Sequence, residues 1–460
     1  MRKSITRRRW LGNAAFAGGA FFILHNSAWV RSYAANEKLN TAHIGIGGRG
    51  GDLLQFAFLN AANPVAFCDV NENKAMQIRR LRPDVPMFKD FRQMLDKMGK
   101  QIDAVVVGTP DHTHAVASGA AIRAGKHVYT EKPLSRTVRE SRVLRELARQ
   151  FKVATSMGNQ GTASGQFRRA LELMREGVLG RIKEVHIWNS AGGADHKEPP
   201  SEETKVPPYL DWDLWLGTAR FRAFHPRWLG WSQWRDFGTG LLGNWASHSA
   251  NLAFMTLKVD SLWSAQEGAA NPIIRVEAKA ASVNRLSFPK WEMVCWEIPP
   301  RGDLPAITFN WYNGRDPQAR EKIEHMIGRG LDWGDKGAKK WVDHGGCVIL
   351  GSEGTLHATE HNATVTYLPT EKYRDLQRDR PEKLDASRGH ERDWIEACKG
   401  GKPAWASYDY AGPLNEFLQL GNVATQVEGR LEYDPVAGKI VNNEGADKLL
   451  DYEYRAGWSL

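Results

Sequence analysis

Short apolar runs alternate with helical patterns between residues 38 and 157, and this alternation restricts the folds that the chain can adopt. The predicted strands are Ala42–Ile46, Val65–Cys68, Ala104–Val107, His127–Tyr129 and Val153–Thr155. Continuous apolar runs of this length are typical of parallel strands that are covered on both faces. Strand–helix alternation therefore predicts an α/β domain with a doubly wound parallel sheet over residues 38–157.

The first predicted strand leads into a glycine-rich turn, Gly45-Ile46-Gly47-Gly48-Arg49-Gly50, which fits the pattern G-x-G-x-x-G. An apolar helical stretch follows the turn, and Asp69 ends the next strand. In this context the glycines allow the backbone to approach a pyrophosphate, and the start of the helix offers free N–H groups to it. A carboxylate at Asp69 accepts hydrogen bonds from ribose hydroxyls and so favours NAD over NADP. The domain is thus predicted to be a Rossmann domain that binds NAD.

The charge of the chain argues against a nucleic-acid partner. The net charge is +9, but six of the Lys and Arg residues lie in the first 34 positions, which contain no acid, so the remainder carries +3. A balance this small does not indicate binding to a polyanion. The four cysteines form no C-x-x-C pair, so neither a zinc site nor a redox motif of that type is expected.

Residues 1–34 have the layout of an export signal. The segment Thr6-Arg7-Arg8-Arg9-Trp10-Leu11 resembles a twin-arginine motif, an apolar stretch runs to Leu24, and Ser32-Tyr33-Ala34 offers a small-x-small cleavage site. We therefore expect a periplasmic protein that does not span the membrane after the signal is removed. An uncleaved N-terminal anchor is the alternative.

Two further motifs follow predicted strands, and with the glycine turn they point to a known family. They are Gly108-Thr109-Pro110-Asp111-His112-Thr113-His114 and Gly125-Lys126-His127-Val128-Tyr129-Thr130-Glu131-Lys132-Pro133. Together these motifs resemble the Gfo/Idh/MocA oxidoreductases. The resemblance implies a second, α+β domain over residues 158–460 with an open, mostly antiparallel sheet. It also implies a homo-oligomer formed through that sheet.

The resemblance assigns the chemistry to Lys132 and His248, which match the family's proton-transfer positions. The position of Lys132 after a predicted strand supports this role independently, because parallel sheets bind ligands at the carboxyl ends of their strands. Asn244 lies four residues before His248 and so shares a helix face with it. The family commonly has Asp at position 244 and often at 251, whereas this chain has Asn at both, which weakens the assignment for His248.

The remaining site residues are predicted partly from the glycine turn and partly from the resemblance. The predicted cofactor-binding residues are Gly45, Gly47, Gly48, Arg49, Gly50, Asp69, Thr109, Pro110, His112, Glu131 and Asn159. The predicted substrate-binding residues are Lys132, Trp234, Arg235 and His248, because aromatic faces stack on sugars and Arg donates to hydroxyls. His112 and His114 have no partners at metal-ligand spacing, so no metal is expected.

Three functions remain open on the sequence alone. The first is an NAD-dependent oxidoreductase that acts on a secondary alcohol of a sugar, glycoside or polyol and recycles a tightly bound cofactor. The second is an NAD-dependent glycoside-cleaving enzyme that works by transient oxidation and elimination. The third is a non-enzymatic protein that binds NAD or a sugar.

Overall fold

The N-terminal sheet consists of six parallel strands in the computed structural model, which describes residues 38–264, 272–314, 317–331, 344–376, 378 and 380–460. The strands are β1 (Asn40–Ile44), β2 (Asn63–Cys68), β3 (Met87–Phe88), β4 (Ala104–Val107), β5 (His127–Thr130) and β6 (Thr155–Met157). Their order in the sheet is β3-β2-β1-β4-β5-β6. The predicted doubly wound parallel sheet is confirmed, and β3 is a strand that the sequence analysis missed.

The chain reverses direction across the sheet between β1 and β4. Strand β1 pairs with β2 on one side and with β4 on the other, and Ile44 lies opposite both Cys68 and Val107. All four residues of β4 are buried. In a sheet of this order, a crevice opens beyond the carboxyl ends of the strands at the reversal. The turns that follow β1 and β4 therefore face the same crevice.

Helices cover both faces of this sheet. They are α1 (Arg49–Leu53), which continues through a π-helical turn (Leu54–Phe58) into α2 (Leu59–Ala61), and then α3 (Glu72–Leu81), α4 (Phe91–Met98), α5 (Asp111–Arg123) and α6 (Val138–Phe151). Helix α6 begins with a capping box, in which the Thr137 side chain accepts from the Glu140 backbone and Glu140 accepts in return. Such a box satisfies N–H groups that the first turn of a helix leaves without a partner.

The second sheet has nine strands and is open. The strands are β7 (Ile182–Asn189), β8 (Ile274–Ala280), β9 (Glu292–Ile298), β10 (Ile307–Asn313), β11 (Gly345–Gly351), β12 (Thr355–Thr359), β13 (Val365–Leu368), β14 (Leu431–Asp434) and β15 (Lys439–Ile440). Their order is β13-β12-β11-β7-β10-β9-β8-β14-β15, and only β7 and β10 run parallel among these pairs. The predicted open, mostly antiparallel sheet is confirmed.

Helices from the second half of the chain connect the two sheets. They are α7 (Gly165–Arg175), α8 (Trp212–Leu216), α9 (Gly240–Asn244), α10 (Ala246–Ser249), α11 (Asn251–Thr256), α12 (Pro317–Ile327), α13 (His390–Cys398), α14 (Tyr408–Ala424) and α15 (Glu444–Asp447). Helix α14 is buried along nearly its whole length. Its Phe417 ring stacks on Trp296 of the second sheet at 4.5 Å between ring centroids. At its start, the Tyr408 hydroxyl lies within hydrogen-bond distance of Thr130 in the first sheet. Residues 38–460 accordingly form one compact unit.

The predicted signal at residues 1–34 lies outside the described residues. Within the described ranges, no helix is both long and apolar enough to cross a membrane. All four cysteines are free, and Cys68 is buried in the core of the first sheet, as the sequence predicts.

Candidate active site

A cavity of about 400 Å³ opens at the carboxyl ends of the central strands of the first sheet. It is lined by ten of the residues that the sequence analysis assigned to cofactor or catalysis: Gly45, Gly47, Gly48, Arg49, Asp69, Thr109, Pro110, Glu131, Lys132 and Asn244. The volume lies within the range of small-molecule sites. The structure thus brings together residues from β1, β2, β4 and β5 of the first sheet and from α9 of the second half of the chain.

The backbone of the glycine turn packs closely on one side and is open on the other. A Cβ atom at Gly50 would lie 1.9 Å from the Gly45 carbonyl oxygen, and one at Gly45 would lie 2.7 Å from the Thr109 backbone nitrogen. At Gly48, by contrast, φ is +51° and nothing lies within 4 Å of the Cβ position. The turn therefore packs tightly on the protein side and is open on the cavity side, which fits a dinucleotide pyrophosphate.

Asp69 is held at the end of β2 by backbone N–H groups. Its carboxylate accepts from the Ile46 backbone at 2.9 Å and from the Asn71 backbone at 2.8 Å. Burial raises its pKa from the usual value, and these backbone donors oppose that shift. The carboxylate is thereby fixed beside the glycine turn, where it can accept from the ribose hydroxyls of an adenosine.

Glu131 and Arg49 form an ion pair in the lining of the cavity. Arg49 Nε lies 3.2 Å from Glu131 Oε1, and Glu131 is buried while the Arg49 side chain is half exposed. Burial raises the pKa of Glu131, and the nearby charges of Arg49 and Lys132 counter it. Gly158 packs against the Glu131 carboxyl group, so that a Cβ atom there would lie 2.8 Å from it.

Asn159, the residue after Gly158, is completely buried. Within the described part of the chain, neither its amide oxygen nor its amide nitrogen has a hydrogen-bond partner. A buried amide without partners is costly. Asn159 does not line the cavity, and its cofactor role stays a prediction.

Lys132 lies directly after β5 and points toward the second half of the chain. Its Nζ donates to Asn244 Oδ1 and lies 5.3 Å from the centroid of the Trp245 ring. Burial lowers the pKa of Lys132, although the charges of Glu131 and Asp111 partly oppose this shift. A lysine with a lowered pKa is suited to accept and return a proton.

His248 lies beside this lysine but is buried, and its Nδ1 atom has no hydrogen-bond partner among the described residues. Burial, and after it the charge of Lys132, hold the pKa of His248 well below its usual value, so the ring is neutral. His361, which is exposed, covers His248 at 4.4 Å between ring centroids. Asn251, the second position where the family often has Asp, accepts from the Tyr410 hydroxyl at 2.6 Å.

Glu360 and Asn189 are site residues that the sequence analysis missed. Asn189, at the end of β7, donates to Glu360 Oε1 at 3.0 Å. Burial raises the pKa of Glu360 to about 7, and the charge of Lys132 acts in the opposite direction. The charge of Lys132 therefore acts on the carboxyl group of Glu360. Family members commonly have a carboxylate at position 244 instead, which is Asn in this chain.

Asp111 and His114 were also missed, although they lie in a motif that the sequence analysis had identified. Both line the cavity. Thr239 donates to the buried Asp111 carboxyl group at 2.7 Å, and burial raises the pKa of Asp111 to about 7. The His114 ring lies between two carbonyl oxygens, those of Thr109 and Pro133, each 2.7 Å from a ring nitrogen. It thereby ties the turn after β4 to the residue that follows Lys132.

His112 does not line this cavity, and its contact with the cofactor stays a prediction. Its ring is completely buried, it lies 2.9 Å from the Trp215 carbonyl oxygen, and it packs edge-on against Phe237. The reason is helical geometry. Asp111 and His114 are three residues apart in α5 and share its cavity face, whereas His112 points to the opposite side.

Trp234 and Arg235, the predicted substrate contacts, do not line the cavity either. Trp234 is fully buried, and its ring stacks on His196 at 4.4 Å between centroids. Arg235 is also buried, and its Nε donates to the Asn284 carbonyl oxygen at 2.7 Å. Both side chains hold the loops around residues 225–290 together. Trp231 is the member of this tryptophan series that lines the cavity.

Among the described residues, no group of three or more His, Cys, Asp and Glu side chains has an arrangement that could hold a metal ion. In the cavity, the glycine turn, Asp69 and Glu131 lie at the places that a dinucleotide requires.

Comparison with known proteins agrees with this geometry. The family model GFO_IDH_MocA, described as "Oxidoreductase family, NAD-binding Rossmann fold", matches residues 39–159. Residues 39–159 thus match the NAD-binding domain of the Gfo/Idh/MocA family.

Similar sequences in this family carry several names. A scyllo-inositol 2-dehydrogenase (NADP(+)) of Bacillus subtilis is 26% identical over 153 residues, which are 33% of this chain and 42% of that protein. A glycosyl hydrolase family 109 protein of a Shewanella species is 26% identical over 156 residues, 32% of this chain and 34% of that protein. These alignments span less than half of the relatives' own lengths.

Solved structures of similar fold match over most of this chain. The WlbA dehydrogenase of Bordetella pertussis, in complex with NADH and UDP-GlcNAcA, has a TM-score of 0.54 at 17% identity and covers 86% of this chain and 98% of its own. A levoglucosan dehydrogenase in complex with NADH and levoglucosan has a TM-score of 0.53 at 17% identity, with 86% and 99% covered. At these identities the likeness shows the shared fold.

Proposed function

We propose that the chain is an NAD-dependent oxidoreductase that acts on a secondary alcohol of a sugar, glycoside or polyol. The observation that carries the proposal is the position of Lys132. It lies at the end of β5, in the same cavity as the glycine turn and Asp69, with its Nζ donating to Asn244. Cofactor and proton acceptor thus share one cleft.

In this proposal the residues of the chain supply orientation and proton transfer. NAD would be held by the glycine turn, Asp69 and Glu131, and it would supply the acceptor for the hydride of the alcohol carbon. The neutral Lys132 amine takes the hydroxyl proton, and burial, which lowers the pKa of Lys132, favours that neutral form. Asn244 orients the amine through its amide oxygen. The neutral His248 and the exposed His361 beside it offer ring nitrogens to other hydroxyls of a sugar.

The substrate class is supported by the aromatic lining and by the relatives. Trp231 lines the cavity, and Trp245 lies under Lys132. Such rings pack well against the C–H faces of sugars. Relatives named for inositol and levoglucosan act on polyhydroxylated rings according to their names. A sugar or polyol is therefore the substrate class that we propose here.

We further propose that the protein is exported and retains its cofactor. This part rests on the twin-arginine-like sequence at residues 1–34. A periplasmic enzyme that released reduced cofactor would stop after one turnover, so electrons taken from one molecule must be returned in place. A second sugar, an electron acceptor or the same substrate at a later stage would receive them. Slow dissociation of NAD is the physical requirement.

The cofactor proposal is tested by isolating the protein from the periplasm, dialysing it extensively, denaturing it and measuring released nucleotide by mass spectrometry. We expect near-stoichiometric NAD or NADH. If the protein isolated from the periplasm carries no nucleotide and binds NAD only weakly, the proposal is contradicted.

The catalytic proposal is tested with Lys132→Ala on any accepted carbohydrate. We expect turnover to fall by more than a hundredfold, in the range typical of a lost acid–base group, while NAD stays bound. The control is Lys100→Ala, a change at an exposed residue outside the cavity. If Lys132→Ala retains turnover within about tenfold of the parent, equivalent to ~1.4 kcal/mol in the barrier, the role of Lys132 is wrong.

A second candidate function is glycoside cleavage, which the relatives named glycosyl hydrolase family 109 favour. Oxidation of one hydroxyl to a ketone acidifies the neighbouring C–H, and loss of that proton expels the aglycone. Water then adds to the unsaturated ketone, and reduction of the ketone leaves no net oxidation. Glycosides incubated with stoichiometric enzyme and no added NAD distinguish the two functions. Free aglycone indicates cleavage, whereas a keto-glycoside without cleavage indicates simple oxidation.

A further inference from the structure

The last residues of the sequence cross the surface of the NAD-binding domain and reach the cavity. We define residues 452–460 as the strap. Trp458 of the strap lines the cavity together with Phe91 of α4, and their ring centroids are 6.0 Å apart. The remainder of this end of the cavity is formed by the residues around Asp69, so Trp458 closes it from the outside.

Sheet topology places this contact at the adenine end of a bound dinucleotide. Phe91 follows β3, and the β3 residue Phe88 pairs with Cys68, the neighbour of Asp69. Lys132 follows β5, which is separated from β2 by β1 and β4. At about 4.8 Å between neighbouring strands, the two ends of the site are roughly 14 Å apart across the sheet. Trp458 therefore lies near the ribose-binding Asp69 and far from the catalytic lysine.

The Trp458 ring is held in a defined position by a charged neighbour. The Arg92 guanidinium lies over the ring at 4.4 Å from its centroid, and Arg92 donates to the Gly457 carbonyl oxygen at 3.0 Å. Arg92 is itself oriented by Asp90, with 2.8 Å between Nη2 and Oδ2. These contacts fix the ring as one wall of the cavity.

The strap is anchored on both sides of Trp458. Before it, the Tyr454 hydroxyl donates to the buried Glu140 at 2.7 Å, and the Arg455 backbone donates to the Thr218 carbonyl oxygen at 3.1 Å. After it, the Leu460 side chain lies so close to Gly119 of α5 that a Cβ atom there would be 2.5 Å away. The strap thus spans α5, α6 and the loop around residue 218.

We infer that the strap forms the outer wall of the adenine subsite and that stacking on Trp458 slows the dissociation of NAD. An aromatic ring next to Phe91 offers a stacking face for a purine, whereas Lys132 at the nicotinamide end follows β5, three strands away from β2. The inference rests on the proposed function, and it provides the cofactor retention that an exported oxidoreductase requires.

The test uses calorimetry on the full-length protein to measure the Kd of each half of NAD separately, ADP-ribose and nicotinamide mononucleotide. Trp458→Ala is expected to raise the Kd of ADP-ribose about five- to a hundredfold, the range for loss of one base–aromatic stack, and to leave the Kd of nicotinamide mononucleotide unchanged. Trp458→Phe is expected to restore most of the affinity, because a stacking face returns. The dissociation rate of NAD should rise in parallel with the Kd of ADP-ribose.

Trp405→Ala is the matched control, because Trp405 is also half buried under an arginine, Arg168, at 4.2 Å, and does not line the cavity. It should change neither Kd. If Trp458→Ala binds ADP-ribose within twofold of the parent, or if both alanine variants lose affinity equally, the inference is overturned while the proposed function stands. If the parent itself binds neither NAD nor ADP-ribose, the proposed function fails with it.

Hydrogen exchange in the parent protein gives a second test, which does not depend on whether a variant folds. ADP-ribose should slow hydrogen exchange of backbone amides in residues 452–460, and nicotinamide mononucleotide should not. Equal exchange with and without ADP-ribose, under saturating conditions, overturns the strap contact.

Discussion

Lys132 and Asn244 are joined by a hydrogen bond between the amine of the first and the amide oxygen of the second. The two residues come from different halves of the chain, one from the end of β5 and the other from the end of α9. An amide orients the amine without adding a charge, so the lowered pKa that burial imposes on Lys132 is preserved. This pair thus orients the proton acceptor without placing a formal negative charge against the amine.

Replacement of Asn244 by Asp should move the pH dependence of catalysis. A carboxylate beside the amine stabilises its protonated form and so raises the pKa of Lys132. Because the neutral amine is the active form, the rising limb of kcat/KM should shift to higher pH and activity at neutral pH should fall. The measurement is a pH profile of kcat/KM for both proteins.

Asn251→Asp is the control for this change, since Asn251 accepts from Tyr410 and does not contact Lys132. It is expected to lower stability and to leave the midpoint of the rising limb in place. An equal shift in both variants, or no shift in Asn244→Asp, would show that Asn244 does not set the protonation of the lysine.

A Gly158→Ala substitution should weaken cofactor binding through Glu131. The added Cβ would lie 2.8 Å from the Glu131 carboxyl group, which must move away from Arg49. We expect the Kd of NAD to rise about tenfold, which corresponds to ~1.4 kcal/mol. Gly165→Ala is the control, because nothing lies within 4 Å of its Cβ position. Equal NAD affinity in Gly158→Ala and the parent would contradict this role for Glu131.

The cofactor half of the site could be predicted from the sequence because it is local. Each of its residues follows a short apolar strand, and parallel strands bring their carboxyl ends to one edge of the sheet. The substrate half is not local. Asn189 and Glu360 are 171 residues apart and meet only through the pairing of the second sheet. No spacing or motif around either residue indicates that contact.

Burial was the second quantity that the sequence did not reveal. Trp228, Trp231 and Trp234 repeat every three residues, and this pattern alone does not show which ring faces a ligand. The intervening short turns direct Trp234 into the core and leave Trp231 at the cavity. The strand β3 escaped for a related reason, since two residues are too few to form a recognisable apolar run.

The two tryptophans should therefore behave differently on truncation. Trp234→Ala removes a fully buried ring and should lower the free energy of unfolding by about 3–5 kcal/mol. Trp231→Ala should leave stability nearly unchanged and weaken ligand binding about three- to tenfold, which is the range of an aromatic contact. Denaturant unfolding and the KM for an accepted sugar or the Kd of NAD measure the two effects. A selective loss of binding in Trp234→Ala would support its predicted substrate role.

The buried carboxyl group of Asp111 should make the NAD-free protein less stable as the pH rises. Its pKa is raised by burial from 3.8 to about 7. Between these values the folded protein keeps a proton that the unfolded chain has lost, so the free energy of unfolding falls with increasing pH. Below pH 4 both states are protonated, and above pH 7 both are ionised, so the contribution is constant outside this window.

Asp111→Asn tests this contribution, because the amide keeps an oxygen that can accept from Thr239 but has no group that titrates. Urea unfolding at several pH values between 4 and 8 should show a stability difference between variant and parent that grows across the window, by of the order of 1 kcal/mol per pH unit. Asp84→Asn, at an exposed residue, should not reproduce this trend. Parallel pH profiles for the parent and Asp111→Asn would mean that Asp111 is already ionised in the folded protein at low pH.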